Sequence, residues 1–154
     1  MEHIYYQGSP VQCDRAFEAF CAGHPKIGII PRTGGLIPVL PMMDQILWPC
    51  RIAGWKKAEA LDEIRRLCPP SVPAHRLYDR PDRSNPRVRG WAVILRALIL
   101  RPEIVAVNGF FEEQEPRLWE LFLEALPEKT ALVYFGSMDP PPGIEWTVKR
   151  EGWK

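Results

Sequence analysis

Apolar positions along this chain alternate between two rhythms. Residues 3–6 read as a short strand closed by the turn Gly8-Ser9-Pro10. Between residues 13 and 22, Ala16, Phe17, Phe20 and Cys21 recur at helical spacing. Residues 26–31 then read as a buried strand, because Ile27, Ile29 and Ile30 are β-branched. Thr33-Gly34-Gly35 is a loop, and residues 42–48 are a short helix expected to stop at Pro49. Ala58, Leu61, Ile64 and Leu67 form one stripe of a helix over residues 56–67, with charges on its other face. Residues 68–86 are a Pro- and Arg-rich connector. A mostly apolar, buried helix follows over residues 89–100. Residues 103–107 and 130–135 predict two more strands, separated by an amphipathic helix carrying Leu118, Leu121, Phe122 and Ala125. Residues 145–149 predict a last strand.

Helices alternating with buried strands argue for an α/β fold with a mainly parallel sheet. The two consecutive helices before Leu67 break that rhythm and predict a helical insert beside the sheet. The prolines of residues 137–143 forbid a crossover helix between the last two strands. A connection this short suits an antiparallel return, so residues 145–149 are expected to form an antiparallel C-terminal edge on residues 130–135. Trp146 and Val148 should then share one face, with Glu145, Thr147 and Lys149 on the other.

Length and composition narrow the function. A chain of 154 residues is most simply one domain, 1–154, with the helical subdomain at about 38–95. With 46% apolar and 25% charged residues it is globular, not disordered. A net charge of +1 supplies no field to attract nucleic acid or anionic lipid. No apolar run approaches the ~18–20 residues of a membrane span, and residues 1–6 lack the features of a signal peptide. A cytosolic protein without direct membrane insertion is expected. Cys13, Cys21, Cys50 and Cys68 show no C-x-x-C spacing, so neither zinc nor redox chemistry is indicated. Six tryptophans are many for a core alone and hint at an interface.

The stretch Arg96-Ala97-Leu98-Ile99-Leu100-Arg101-Pro102-Glu103-Ile104-Val105-Ala106-Val107-Asn108-Gly109 combines a helix end, an Arg-Pro break and a strand with a polar tip. It resembles the Walker B region of the ABC transporter ATPases, R-A-L-x-x-x-P-x-x-L-L-L-D-E-P. The resemblance continues in order along the chain. Residues 26–38 look like the Q-loop strand and its loop. Residues 39–54 are similar to the helical subdomain of transporters for lipids, lipoproteins or drugs, and residues 56–67 to its next helix. Residues 84–100 hold the place of the signature motif and its helix, and 130–137 that of the switch-histidine strand. The resemblance implies a P-loop-NTPase-like, ABC-ATPase-like α/β fold in truncated form.

The departures fall on the nucleotide-facing positions. Where the family has Asp for the magnesium shell and Glu for the attacking water, this chain has Asn108 and Gly109. The Q-loop Gln position holds Arg32. The signature L-S-G-G-Q falls on Ser84-Asn85-Pro86-Arg87-Val88, losing both glycines. The switch His position falls at Gly136. No G-x-x-G-x-G-K-[ST] occurs, and the chain is expected to begin after that loop. Phosphoryl transfer then lacks its electrostatic machinery, and no cofactor or metal is expected.

Other clusters have simple structural explanations. Gly34-Gly35 lacks a following Lys-Ser/Thr and reads as a turn. Arg80, Arg83, Arg87 and Arg89 read as a solvated loop, with a phosphate contact by Arg87 or Arg89 as the sharper alternative. Glu112, Glu113 and Glu115 suit a helix N-terminus. His3, His24 and His75 have no partner suggesting a triad. In the resembled family the neighbourhood of residues 36–48 receives a cytoplasmic helix of the membrane subunit. Met42 and Met43 read as core at helical spacing, and partner contact is the sharper expectation for Leu36, Ile37, Met42 and Met43. Trp48 is a further partner-contact candidate, although core is its simpler assignment. The resemblance implies a pseudo-ATPase that binds a permease or an active ATPase subunit, peripheral to the membrane's inner face. A free-standing homo-oligomeric scaffold and an enzyme with a new site on the old fold are the alternatives.

Overall fold

The computed structural model describes residues 2–150. Among these, five strands form one sheet: β1 (His3–Gln7), β2 (Gly28–Ile30), β3 (Ile104–Asn108), β4 (Ala131–Gly136) and β5 (Trp146–Lys149). Their order is β2-β3-β4-β1-β5. Every pairing is parallel, with Ile30 beside Val107, Asn108 beside Phe135 and Tyr6 beside Phe135. The helices are α1 (Pro10–Gly23), α2 (Met42–Ile52), α3 (Lys57–Leu67), α4 (Pro86–Leu98) and α5 (Pro116–Ala125).

The helix starts are written in the sequence. Ser9 caps α1 through a capping box with Gln12, and Pro10 occupies the first turn, where a missing N–H costs nothing. Asn85 accepts from Val88 N at 2.9 Å, and Pro86 opens α4. Pro116 opens α5 in the same way. Pro49 does not stop α2, which continues to Ile52. The continuation lets Cys50 join Met42, Met43, Ile46 and Leu47 on one buried stripe.

Strand alternation divides the core in two. Tyr5, Val105, Val107, Leu132 and Tyr134 face α2, α3, α4 and α5 in the larger core. Tyr6, Ala106, Val133 and Phe135 face α1, meeting Cys13, Ala16 and Phe17. In the larger core Phe111, Trp119, Phe122, Tyr134 and Trp146 form a connected aromatic cluster. Each such pair contributes about 0.5–1.5 kcal/mol beyond burial.

The edge strand corrects one expectation. β5 does not return antiparallel onto β4; it runs parallel to β1, with Tyr5 beside Val148. β1 itself fills the slot next to β4 that the loop length predicts for the C-terminal strand. Segment 137–145 therefore passes across β1 without a helix. Its prolines keep it extended, and an extended chain of ~3.3 Å per residue readily spans two strand spacings of ~4.8 Å. Two indole groups fasten it: Trp119 Nε1 donates to Pro142 O and Trp146 Nε1 to Pro141 O, each at 2.8 Å.

Candidate functional site at the carboxyl end of the sheet

A parallel sheet gathers the carboxyl ends of its strands at one edge, and the loops there carry the polar groups. Here the ends of β1 to β4 bring together Gly8, Arg32, Asn108, Gly109, Gly136 and Ser137, beside the first turns of α1. β1, the Gly8-Ser9 loop and α1 hold the strand–loop–helix place beside β4. That place is present in the fold, although the phosphate-loop motif is absent from the sequence.

The groups at this end bond to one another. Arg32 Nε donates to Asp14 Oδ1 at 3.1 Å, and Arg32 Nη2 to Asn108 Oδ1 at 3.1 Å and Pro10 O at 3.3 Å. Asn108 Nδ2 donates to Asp14 Oδ1 at 2.8 Å, closing a triangle. The Asn108 amide first, then the Arg32 guanidinium, hold the Asp14 carboxyl below its ordinary value. Next to it, Glu112 accepts from Ser137 N at 2.7 Å and Met138 N at 3.2 Å through Oε1, and from Ser137 Oγ at 3.2 Å through Oε2. Tyr5 Oη donates to Met138 O at 2.5 Å. Burial, reinforced by the Glu112 charge, pushes the Tyr5 hydroxyl well above its ordinary pKa.

Backbone donors in the loop before α1 are likewise engaged. Gly8 N donates to Gly136 O, Ser9 N to Gln12 Oε1 and Gln12 N to Ser9 Oγ, while Pro10 has no N–H. The two glycines are sterically required. A Cβ on Gly136 would lie 2.2 Å from Tyr5 Oη, the tip of a rigid, fully buried ring. Gly109 adopts φ +64°, and its Cβ would lie 2.6 Å from Arg32 Nη1. A histidine at position 136 has no room beside Tyr5 Oη, and a glutamate at 109 would have to adopt a left-handed backbone and displace the Arg32 guanidinium. Among the described residues, no group of three His, Cys, Asp or Glu side chains is placed to hold a metal ion. Arg32, Asn108 and Asp14 are bonded to one another at the place where the resemblance implies a magnesium–nucleotide complex.

The other predicted positions separate. Ser84-Asn85-Pro86-Arg87-Val88 forms the start of α4, where Asn85 caps the helix, Arg87 pairs with Glu115 and Arg89 donates to Ser84 O. Arg80 is paired with Asp82. Arg96 donates to the carbonyls of Gly34 and Gly35 and so fastens the loop after β2 to α4.

The expected partner surface divides in two. Met42 and Met43 are core residues, 0% and 2% exposed, so the expectation that they face a partner is corrected. Leu36 is partly buried against the core. Ile37 and Trp48, by contrast, are 51% and 61% exposed. They line a groove of about 980 Å³ together with Ile27, Ile29, Leu40 and Ile52. Trp48 and Ile52 lie opposite the buried stripe of α2, and the exposed edge of β2 forms the groove's other wall.

Sequence reading missed Asp14 and Tyr5, and it read Glu112 only as a helix N-terminal charge. Asp14 shares α1 with Arg15 and Glu18, and nothing in its spacing sets it apart. Tyr5 gave no signal beyond its strand.

No family model matches the chain. The lipoprotein-releasing system ATP-binding protein LolD of Saccharophagus degradans is 29% identical over 83 residues, which are 54% of this chain and 36% of that protein. The matched part thus spans little more than a third of that relative's length. The dimeric structure of a bacterial ABC transporter cassette corresponds with a TM-score of 0.66 at 14% identity, covering 87% of this chain and 74% of the cassette. The same cassette in a dimeric post-hydrolysis state with ADP and phosphate gives 0.67 at 14% identity, covering 88% and 74%. The ATP-binding subunit of an ABC transporter gives 0.66 at 14%, covering 89% and 68%. At these identities the structures establish the fold alone: the chain has the fold of the ABC transporter ATPase cassettes, and about half of it is similar in sequence to LolD.

Proposed function

We propose that this chain is a protein-binding pseudo-ATPase. It neither binds nor hydrolyses nucleotide, and it docks on an ABC-type permease or on an active ATPase subunit of the same transporter, at the cytoplasmic face of the membrane. No helix among the described residues is long and apolar enough to cross a membrane, so attachment would run through the partner.

One contrast carries this reading. The end of the sheet where nucleotide would sit is filled by Arg32, Asp14, Asn108 and Glu112 bonded to each other and to the backbone. The groove between β2 and α2 keeps Ile37, Trp48 and Ile52 exposed. A contiguous apolar patch of this kind is characteristic of a protein-interaction surface. The name of the LolD relative places it in a lipoprotein-releasing system, which supports a transporter setting.

The test has two arms. Titration calorimetry with magnesium and ATP should be flat, whereas micromolar binding that requires magnesium overturns the pseudo-ATPase. Capture from native membranes should yield an ABC-type permease or ATPase subunit with the wild type and lose it with Ile37→Asp or Trp48→Asp. Recovery of the chain itself alone points to the scaffold alternative.

A further inference from the structure

We propose that the Arg32 guanidinium is a tethered cation that takes the place of a divalent metal at the end of the sheet and joins the three elements meeting there. The inference rests on reading this end as a disused nucleotide site. Arg32 follows β2, Asp14 belongs to α1 and Asn108 ends β3. One guanidinium reaches both side chains, at 3.0–3.1 Å, and also the first-turn carbonyl of Pro10. Its side chain is 29% exposed, so it is shielded more than a surface arginine.

The identity of residue 108 fits this role. A carboxamide accepts from Arg32 through Oδ1 and donates to Asp14 through Nδ2, so all three groups are satisfied by one positive and one negative charge. An aspartate at 108 would set two carboxylates against each other and require a cation between them. Gly109 completes the fit, since a side chain there would collide with Arg32 Nη1. Unlike a metal ion, a guanidinium neither dissociates nor deprotonates at accessible pH, and its fork addresses several acceptors at once. The join between α1, β2 and β3 is therefore permanent and independent of any ligand.

The experiment compares thermal melting in EDTA and in millimolar Mg2+ or Mn2+ for four proteins. The wild type and Asn108→Asp, which both keep the guanidinium, should not respond to metal. Arg32→Gln should melt about 3–6 °C lower, the size expected for one lost bridging group in a domain of this length, and also ignore metal. Arg32→Gln/Asn108→Asp should be the least stable in EDTA. It should recover in a saturable way with Mn2+, with loss of the free-ion paramagnetic resonance signal. The proposal is overturned if Arg32→Gln melts with the wild type, if metal stabilises the wild type, or if the double variant gains nothing from millimolar Mn2+, including the case in which it stays unfolded there. None of these measurements involves a partner or ATP, so docking and nucleotide binding are judged separately.

Discussion

The carboxyl end of the sheet and the groove between β2 and α2 lie at the two sides of the same loop, residues 31–41, yet they are built on opposite principles. At the sheet end, polar side chains are paired and space is closed, so that even a Cβ at Gly136 has nowhere to go. In the groove, large apolar side chains remain in water, with Trp48 and Ile52 61% and 72% exposed. Closed polar networks give rigidity and a defined arrangement. Exposed apolar surface costs solvation free energy that only association recovers. The open apolar surface thus lies apart from the closed polar end of the sheet.

Substitutions should separate the regions by size of effect. Met42→Asp places a charge in the core beneath the groove and should unfold the protein or cost more than about 4 kcal/mol. Urea denaturation measures this, and a near-neutral result would return Met42 to the surface. Gly136→His should cost about 3 kcal/mol or more, because Tyr5 Oη and Glu112 Oε1 already occupy the required space. A stable Gly136→His protein would show that the sheet end can reopen.

A third substitution tests the attachment of the helical insert. Glu63 on α3 is 7% exposed and accepts from Arg66 and from Arg101, just beyond α4. Arg66 first, and Arg101 with it, hold its carboxyl below the ordinary 4.5. A folded pKa below the unfolded one stabilises above that unfolded value, and the gain is lost as pH falls through the folded pKa. Glu63→Gln should cost about 1–2 kcal/mol at neutral pH, discounted because both arginines are largely solvated. It should also flatten the drop in melting temperature below about pH 4.5. Parallel acid profiles for variant and wild type would dismiss the ion pair as a stabilising element. Smallest in stability is Trp48→Asp, expected within about 0.5 kcal/mol of wild type because the ring is mostly in solvent. A large loss there would make the tryptophan structural and leave the groove without its central contact.

Much of this architecture was legible along the chain. β-branched runs at Ile27–Ile30 and in β3 and β4 marked the parallel strands, with the Walker B-like strand in the middle of the three. Caps at Ser9 and Asn85 marked helix starts because capping is local. The resemblance also singled out Arg32, Asn108, Gly109 and Gly136, which the fold brings together at the carboxyl end of the sheet. The helical spacing of Met42 and Met43 marks them as core, as found, but the end of α2 was not legible: Pro49 predicts a stop, whereas the helix runs on to Ile52 and adds Cys50 to the buried stripe.

Local periodicity thus determined which segments are helices and strands and which of their faces are apolar. These follow from short-range sterics and spacing, and a single sequence displays them. Only the tertiary structure decided that β1 takes the inner slot, that β5 runs parallel beside it, and that Arg32 closes on Asp14 and Asn108. Each depends on contacts between residues separated by 18 to 143 positions. Hydrophobic pattern specifies a face to be buried, but not the partner that buries it, nor which polar tips meet once it has.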